Sequence, residues 1–451
     1  MIEGRRRLAA AIVIASLAIA ALGLAAPAPA AAFSGFGQMT ASEQYGQQMT
    51  FTVALSGGTP DRLELLLQFG PNPDSTYVAP VTASGGSATY TWDASTDYVT
   101  PNTSISYRWR ATTNGSATLS RSATLLYADN RPGLDWQSAA IGQATVHWYG
   151  SAESQARRFG QLTSGAVSRA EATLGHALDG PVDIFVYASQ EEFFGALGNG
   201  AREWTGAATF PDIRTIFMWL GGGTSSYLDT ALVHEVTHVV FYDATRSPYH
   251  EPAHWLNEGF SVWSEQQNAD AAAQTVRSEV SNGLFSFDAI SGQFPIGSRG
   301  ASLSYAEGAT MVAYIIDTYG RGAMAKVAAA YRDGATDGEA LQAGTGTPTD
   351  QLYADYFRSF GASEPQPVAA ASIGPSLVDT GTARSSNGAA ASATPLPPGE
   401  VAGAEATAST TLAWVAIAAL VITSLAVGFV WYRRRGTGPA PPGGTASSDD
   451  A

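Results

Sequence analysis

Apolar and polar residues alternate with a period of two in short runs along the front of the chain. Met49–Leu55 (MTFTVAL), Leu63–Phe69 (LELLLQF), Ala88–Asp93 (ATYTWD), Ser104–Thr112 (SISYRWRAT) and Ser122–Ala128 (SATLLYA) all show it. Successive side chains of a strand point to opposite faces, so this period predicts half-buried β-strands. Clusters of turn formers, SGGTPD, GPNPD and TTNGS, separate the runs. Strands at such spacing predict an all-β sandwich, and the Tyr107-x-Trp109 alternation is similar to a core strand of an Ig-like domain. No constellation of catalytic groups falls here, so a spacer or substrate-docking module is expected.

Beyond Trp136 the period changes. Ala144–Gly150, Val182–Ala188 and Thr215–Gly222 read as strands, while Ala152–Leu178 and Gln190–Leu197 read as amphipathic helices. Three further helices follow at Ala231–Asp243, Trp255–Gln267 and Ser304–Gly320. The order is sheet elements first and helices afterwards, which predicts an α+β unit.

Both ends carry unbroken apolar runs. Arg5, Arg6 and Arg7 precede one that reaches Ala26, and Ala28-Pro29-Ala30 offers a small-x-small cleavage site, the plan of a secretory signal peptide. Thr411 to Tyr432 holds no charged residue and is followed by Arg433, Arg434 and Arg435, which predicts a membrane span with its basic flank inside. A sortase-type signal is the rival, because LPPG starts at Leu396. The Ala, Ser, Thr, Pro and Gly stretch before the span reads as a flexible linker.

The chain has 451 residues, 45% hydrophobic and 14% charged, with a formal net charge of −15. A surface of that sign repels phosphate, so nucleic acid is not an expected partner. There is no cysteine, which excludes disulfides, thiolate metal sites and cysteine nucleophiles. Any metal must be held by His, Asp or Glu.

Six histidines serve the whole chain, and two of them sit in ALVHEVTHVVFYD. Residues four apart share one helix face about 6 Å apart, so His234 and His238 can aim two imidazoles at one ion. Glu235 lies about 100° further round the helix, beside such an ion without ligating it, where it can take a proton. A third ligand is required, and Glu258 in WLNEGF is the candidate. It follows His238 after 19 intervening residues, enough for a second helix to return across the first. The plainer reading is a buried helix with satisfied core histidines. Val233, Val236, Val239, Val240 and Phe241 do predict burial, but a buried His-Glu-His set needs partners, and zinc supplies one.

HEVTH together with WLNEGFSVW resembles the gluzincins, metallopeptidases of thermolysin-like and aminopeptidase-N-like type, and most of all the small bacterial peptidase MA-like group. The upstream ATVHWYG and downstream SYAEGATMVAYIIDTYG are similar to that group too, so the likeness covers about Asp135 to Phe360. It implies Zn2+ held by His234, His238 and Glu258, a zinc-activated water, Glu235 as general base, and a peptide or protein substrate. It also implies that the strand TIFMWL is the sheet edge along which substrate lies. An oxyanion donor besides zinc is needed. Tyr305, His254 and Tyr249 are the candidates; Tyr305 suits the downstream-tyrosine role of the gluzincins, and a core tyrosine is the plainer reading of it.

This chain departs from the pattern in two places. Val262 stands where thermolysin-type enzymes carry an aspartate that orients a ligand, leaving Glu265 or Asp243 for that task. The exopeptidase motif of the aminopeptidases is missing ahead of the zinc helix. His250 and His254 are expected on an exposed loop over the site, and His147 and His176 are expected to be structural.

The expected organisation is therefore a signal peptide at 1–32, an Ig-like β-sandwich at 33–130, a zincin-like peptidase domain at 131–360, a disordered linker at 361–409, one transmembrane helix at 410–432 and a cytoplasmic tail at 433–451. The expected protein is a single-pass cell-membrane enzyme, a zinc metallopeptidase with its catalytic domain outside. A catalytically inactive zincin-like surface binding or adhesion module is the alternative, and the intact Glu235 argues against it.

Overall fold

The computed structural model describes residues 32–365, except 72–75, 199–204, 267, 293 and 296–297, and a strand at 392–395. The expected signal peptide, membrane span, tail and most of the linker lie outside the described residues. Among the described residues no helix is long and apolar enough to cross a membrane.

The chain divides into two compact units. The first holds two antiparallel sheets. One has the order β1-β2-β6-β5, from β1 (Phe33–Gln44), β2 (Gln48–Gly57), β5 (Ala83–Ser84) and β6 (Ser87–Asp93). The other runs β4-β3-β7-β8, from β3 (Arg62–Phe69), β4 (Thr76–Pro80), β7 (Thr103–Thr113) and β8 (Ser116–Leu119), with β9 (Ala123–Tyr127) also on β7. The period of two works as expected. Met49, Phe51 and Val53 are buried from one sheet, and Ile105, Tyr107, Trp109 and Ala111 from the other. Phe51 meets Tyr107 edge to face, centroids 5.0 Å apart, across the layer between the sheets. Glu64 is also buried, and its carboxylate is neutralised by Arg110 at 2.7 Å. All five expected strands are present. Four more were not read from the sequence, because β1, β4, β5 and β8 carry mostly exposed residues and so no contrast of faces.

The second unit is built on a mixed sheet of order β10-β11-β12-β14-β13-β15. Its strands are β10 (Gln137–Ile141), β11 (Ala144–Trp148), β12 (Val182–Tyr187), β13 (Thr205–Phe210), β14 (Thr215–Trp219) and β15 (Ser392–Pro395). β11, β12 and β14 run parallel, and the other pairings are antiparallel. Helix α1 (Glu153–Leu174) is the crossover from β11 to β12. Alternate residues of β12 feed two cores. Ile184 and Val186 join the main core with α1, while Phe185 and Tyr187 join Phe193 of α2 (Gln190–Leu197) on the opposite face.

The expectation for TIFMWL is corrected here. That strand, β14, lies inside the sheet between β12 and β13. Beyond it lies β13, TGAATF, whose other side pairs with Ser392–Pro395, so β15 holds this edge and four residues of the expected linker are strand. Spatial order departs from chain order because the chain passes from β12 to the more distant β13 and then doubles back into the gap as β14.

Helices make up the rest: α3 (Ser225–Thr245), α4 (His254–Ser264), α5 (Ala269–Glu279), α6 (Phe287–Ile290), α7 (Ser298–Tyr319), α8 (Gly322–Arg332), α9 (Asp337–Thr345) and α10 (Thr349–Ser359). α3 is buried on nearly every side over its last three turns, against the sheet and against α4. Its start is set by Thr224, whose hydroxyl accepts from the Tyr227 amide. α4 has no side-chain cap of its own, but Asp337 of α9 accepts from the Ala253 amide at 3.0 Å and also from the Tyr331 hydroxyl. A carboxylate at that end also suits the helix dipole.

Candidate metal centre

His234 and His238 lie on α3, and Glu258 lies on α4. Their donor atoms all fall within 4.8 Å of one another. Glu258 Oε2 is 3.3 Å from His234 Nε2 and 3.5 Å from His238 Nε2. Donors held tetrahedrally at zinc distances of about 2.0–2.1 Å sit about 3.3 Å apart, so the carboxylate-to-imidazole spacing fits that ion. The expected ligand set is therefore brought together by the fold.

The other nitrogen of each imidazole is spoken for. His234 Nδ1 meets Glu265 Oε1 at 2.6 Å, and Asn268 holds the second oxygen of Glu265. His238 Nδ1 meets Asn257 Oδ1 at 2.9 Å and Ser261 Oγ at 3.1 Å. Each Nδ1 is thus engaged away from the centre, and each Nε2 faces it. Of the two acids expected for the orienting role, Glu265 takes it. Asp243 instead pairs with His176 at 3.0 Å. His147 pairs with Asp183 at 2.9 Å and stacks on Phe185, so neither of these histidines is gathered into the cluster.

Electrostatics follow from this enclosure. Burial opposes charge on Glu258, but His238 and His234 outweigh it and hold its carboxyl well below the usual range. Burial likewise opposes charge on His234, and Glu258 and Glu265 overcome it and raise its pKa well above the ordinary value. Among the described residues, two buried atoms of the HEVTH stretch have no hydrogen-bond partner, His238 Nε2 and Glu235 Oε1, and neither has His254 Nε2 beside Glu258. An unpartnered buried polar atom costs about 1–3 kcal/mol, and a cation with its solvent would satisfy the first two. That need, with two imidazole nitrogens and a carboxylate oxygen as donors, fits zinc.

Glu235 is fully buried beside its neighbours, and burial pushes its pKa up to about 7, against the opposing pull of His238 and His234. Tyr305, on α7, places its ring centroid 6.4 Å from that of His234. Burial and the charges of Glu258 and Glu235 hold its pKa well above the ordinary value, so it is a protonated donor. Tyr249 is 76% exposed and is not gathered into this cluster.

His254 departs from its expected place on an exposed loop. It is the first residue of α4, its ring packs on Phe294 at 4.5 Å, and its Nε2 lies 3.9 Å from Glu258 Oε1. Burial lowers its pKa. The loop reading failed because Pro252 and the polar residues before it gave no sign that Asp337 would start a helix at this point.

Sequence reasoning missed Asn257, Ser261 and Thr209. The first two could have been found, because they flank Glu258 at helical spacing on the face that returns to α3. Thr209 could not, because it reaches the site from β13.

Residues 163–360 match the profile of the Peptidase MA superfamily. No curated protein matches the chain. Among solved structures, aminopeptidase A of Legionella pneumophila, in complex with aspartic acid, is 9% identical with a TM-score of 0.34. That alignment covers 73% of this chain and 51% of the other, so the chain spans about half the length of that enzyme. A mutant M1 zinc metallopeptidase of Deinococcus radiodurans, bound to a Tyr-Ser-Ala substrate, is 12% identical with a TM-score of 0.31, covering 72% of this chain and 93% of that one.

Proposed function

We propose that this chain is a zinc metallopeptidase that hydrolyses peptide bonds, with His234, His238 and Glu258 as ligands and Glu235 as general base. One observation carries the reading. Three donor atoms from two helices converge within 4.8 Å, the carboxylate at tetrahedral spacing from both imidazoles, and a fourth, catalytically suited side chain beside them has an unpartnered Oε1. The Peptidase MA superfamily match over residues 163–360 supports it.

When bound, zinc supplies Lewis acidity and acidifies a water in the site. The chain's own groups do the rest. Glu235 takes a proton from the attacking water and hands it to the departing amine nitrogen. Burial raises its pKa from the ordinary carboxyl value, which makes it a stronger proton acceptor than an exposed glutamate. Tyr305 stays protonated and donates toward the developing oxyanion. Glu265, Asn257 and Ser261 hold the imidazoles in the ligating tautomer and orientation.

The reading extends to the residues outside the described part. The apolar run at 410–432 would anchor the enzyme once in the cell membrane, with the catalytic domain outside and residues 433–451 inside. Protease shaving of intact cells should release the catalytic domain and spare a tag on the C-terminal tail.

The deciding experiment compares the full chain in detergent with its Glu235→Gln variant on casein and a peptide library. The wild type should cleave and be stopped by a chelator, while the variant should keep stoichiometric zinc and lose turnover. Equal turnover by the two would refute the assignment.

A further inference from the structure

We infer that Thr209 is a positioning residue for the general base. Its hydroxyl, delivered by strand β13, fixes one oxygen of the Glu235 carboxylate so that the other faces the donor cluster. The inference rests on the hydrolase reading above and adds to it a residue from a separate element.

The strand's alternation places the hydroxyl. Ala208 and Phe210 of β13 belong to the core on the far face of the sheet, while Ala207 belongs to the core shared with α3. Thr209 shares the parity of Ala207, so it points at α3, and it is completely buried. Its Oγ1 lies 2.5 Å from Glu235 Oε2 and 3.5 Å from the Glu235 carbonyl oxygen. An ionised carboxylate only accepts, so the threonine donates.

The consequence concerns where the carboxylate can go. A glutamate has three side-chain torsions, and α3 alone does not fix them. With Oε2 tied to β13, Oε1 is the oxygen left free, and it has no partner of its own. The contact thus selects which oxygen serves as base and holds it at a set place relative to His234 and His238. The opposite edge of β13 accepts an extended segment in register, Ser392 standing opposite Thr209. The strand that can receive another strand is therefore the one that steers the base.

A role in holding the base acts on turnover and leaves binding alone. In the zinc-loaded full chain in detergent, Thr209→Val keeps shape and removes the donor. It should lower kcat about 10- to 100-fold with KM and zinc content unchanged, and Thr209→Ser, which keeps the donor, should restore most of the loss. A second arm uses no turnover. In the metal-free chain, Thr209→Val should lower the thermal midpoint in the wild-type background and have no further effect in a Glu235→Ala background, because the two residues share one contact. The inference is overturned if Thr209→Val retains wild-type kcat, if valine and serine variants fail alike with zinc lost, or if the midpoint falls equally in both backgrounds. A wild-type chain that cleaves nothing would overturn the hydrolase reading itself, and this inference with it, whatever the unfolding arm gives.

Discussion

Gly259 and Gly308 touch where α4 crosses α7: a β-carbon on Gly259 would lie 2.3 Å from the Gly308 carbonyl carbon. The same crossing would set a β-carbon on Gly308 2.5 Å from the Trp255 carbonyl oxygen. Two glycines let the backbones meet, and Gly259 directly follows Glu258, the proposed third ligand. The glycine of WLNEGF is thus a packing requirement that fixes the depth of the third ligand.

Gly259→Ala should therefore destabilise the peptidase unit by about 1–3 kcal/mol through overpacking. It should also displace Glu258, lowering zinc occupancy more than a surface substitution of equal cost. Thermal unfolding and metal analysis of the same sample test both parts. A stable variant with full zinc would contradict the close crossing.

Glu265→Gln keeps the shape of the group that holds His234 and removes its charge. Losing such an outer partner typically weakens metal binding about 10- to 100-fold. Competition against a chromophoric chelator measures the change, and an unaltered affinity would detach Glu265 from the site.

Zinc should stabilise the fold, since its ligands converge only in the folded chain. At one hundred times its dissociation constant it adds about 2.7 kcal/mol. Chelation should lower the wild-type melting temperature and leave that of His238→Ala unmoved. An equal response by both proteins would mean that the stabilising ion sits elsewhere.

The pH profile follows from Glu235, which must be ionised to accept a proton. Burial puts its titration at about 7 in the chain alone, and a neighbouring cation favours the carboxylate and moves it down. Turnover should rise with pH along an acid limb at or below 7, and Glu235→Gln should abolish activity on both sides of it. A limb that persists in residual Glu235→Gln activity would belong to another group.

The grouping of the three donor side chains was legible in the sequence because helical spacing alone relates His234 to His238, and one short return relates them to Glu258. Glu265 was legible as an orienting candidate for the same reason. The internal place of β14 was not, since β13 and β14 exchange chain order for spatial order and no periodicity records that. Thr209 was hidden likewise: it precedes Glu235 by 26 residues and meets it only because β13 runs beneath α3. The burial of His254 depended on Asp337, a partner 84 residues from Ala253.

The unlike companions of the two imidazoles have a chemical consequence. His234 leans on a carboxylate, whereas His238 leans on a neutral amide and a hydroxyl. The first ring is thereby the more electron-rich donor, so an ion in this site is gripped unevenly. Acid or a competing chelator should then strip it in two stages, the His238 bond opening first, and a cobalt-substituted sample titrated downward in pH would pass through a spectrally distinct species before the colour is lost.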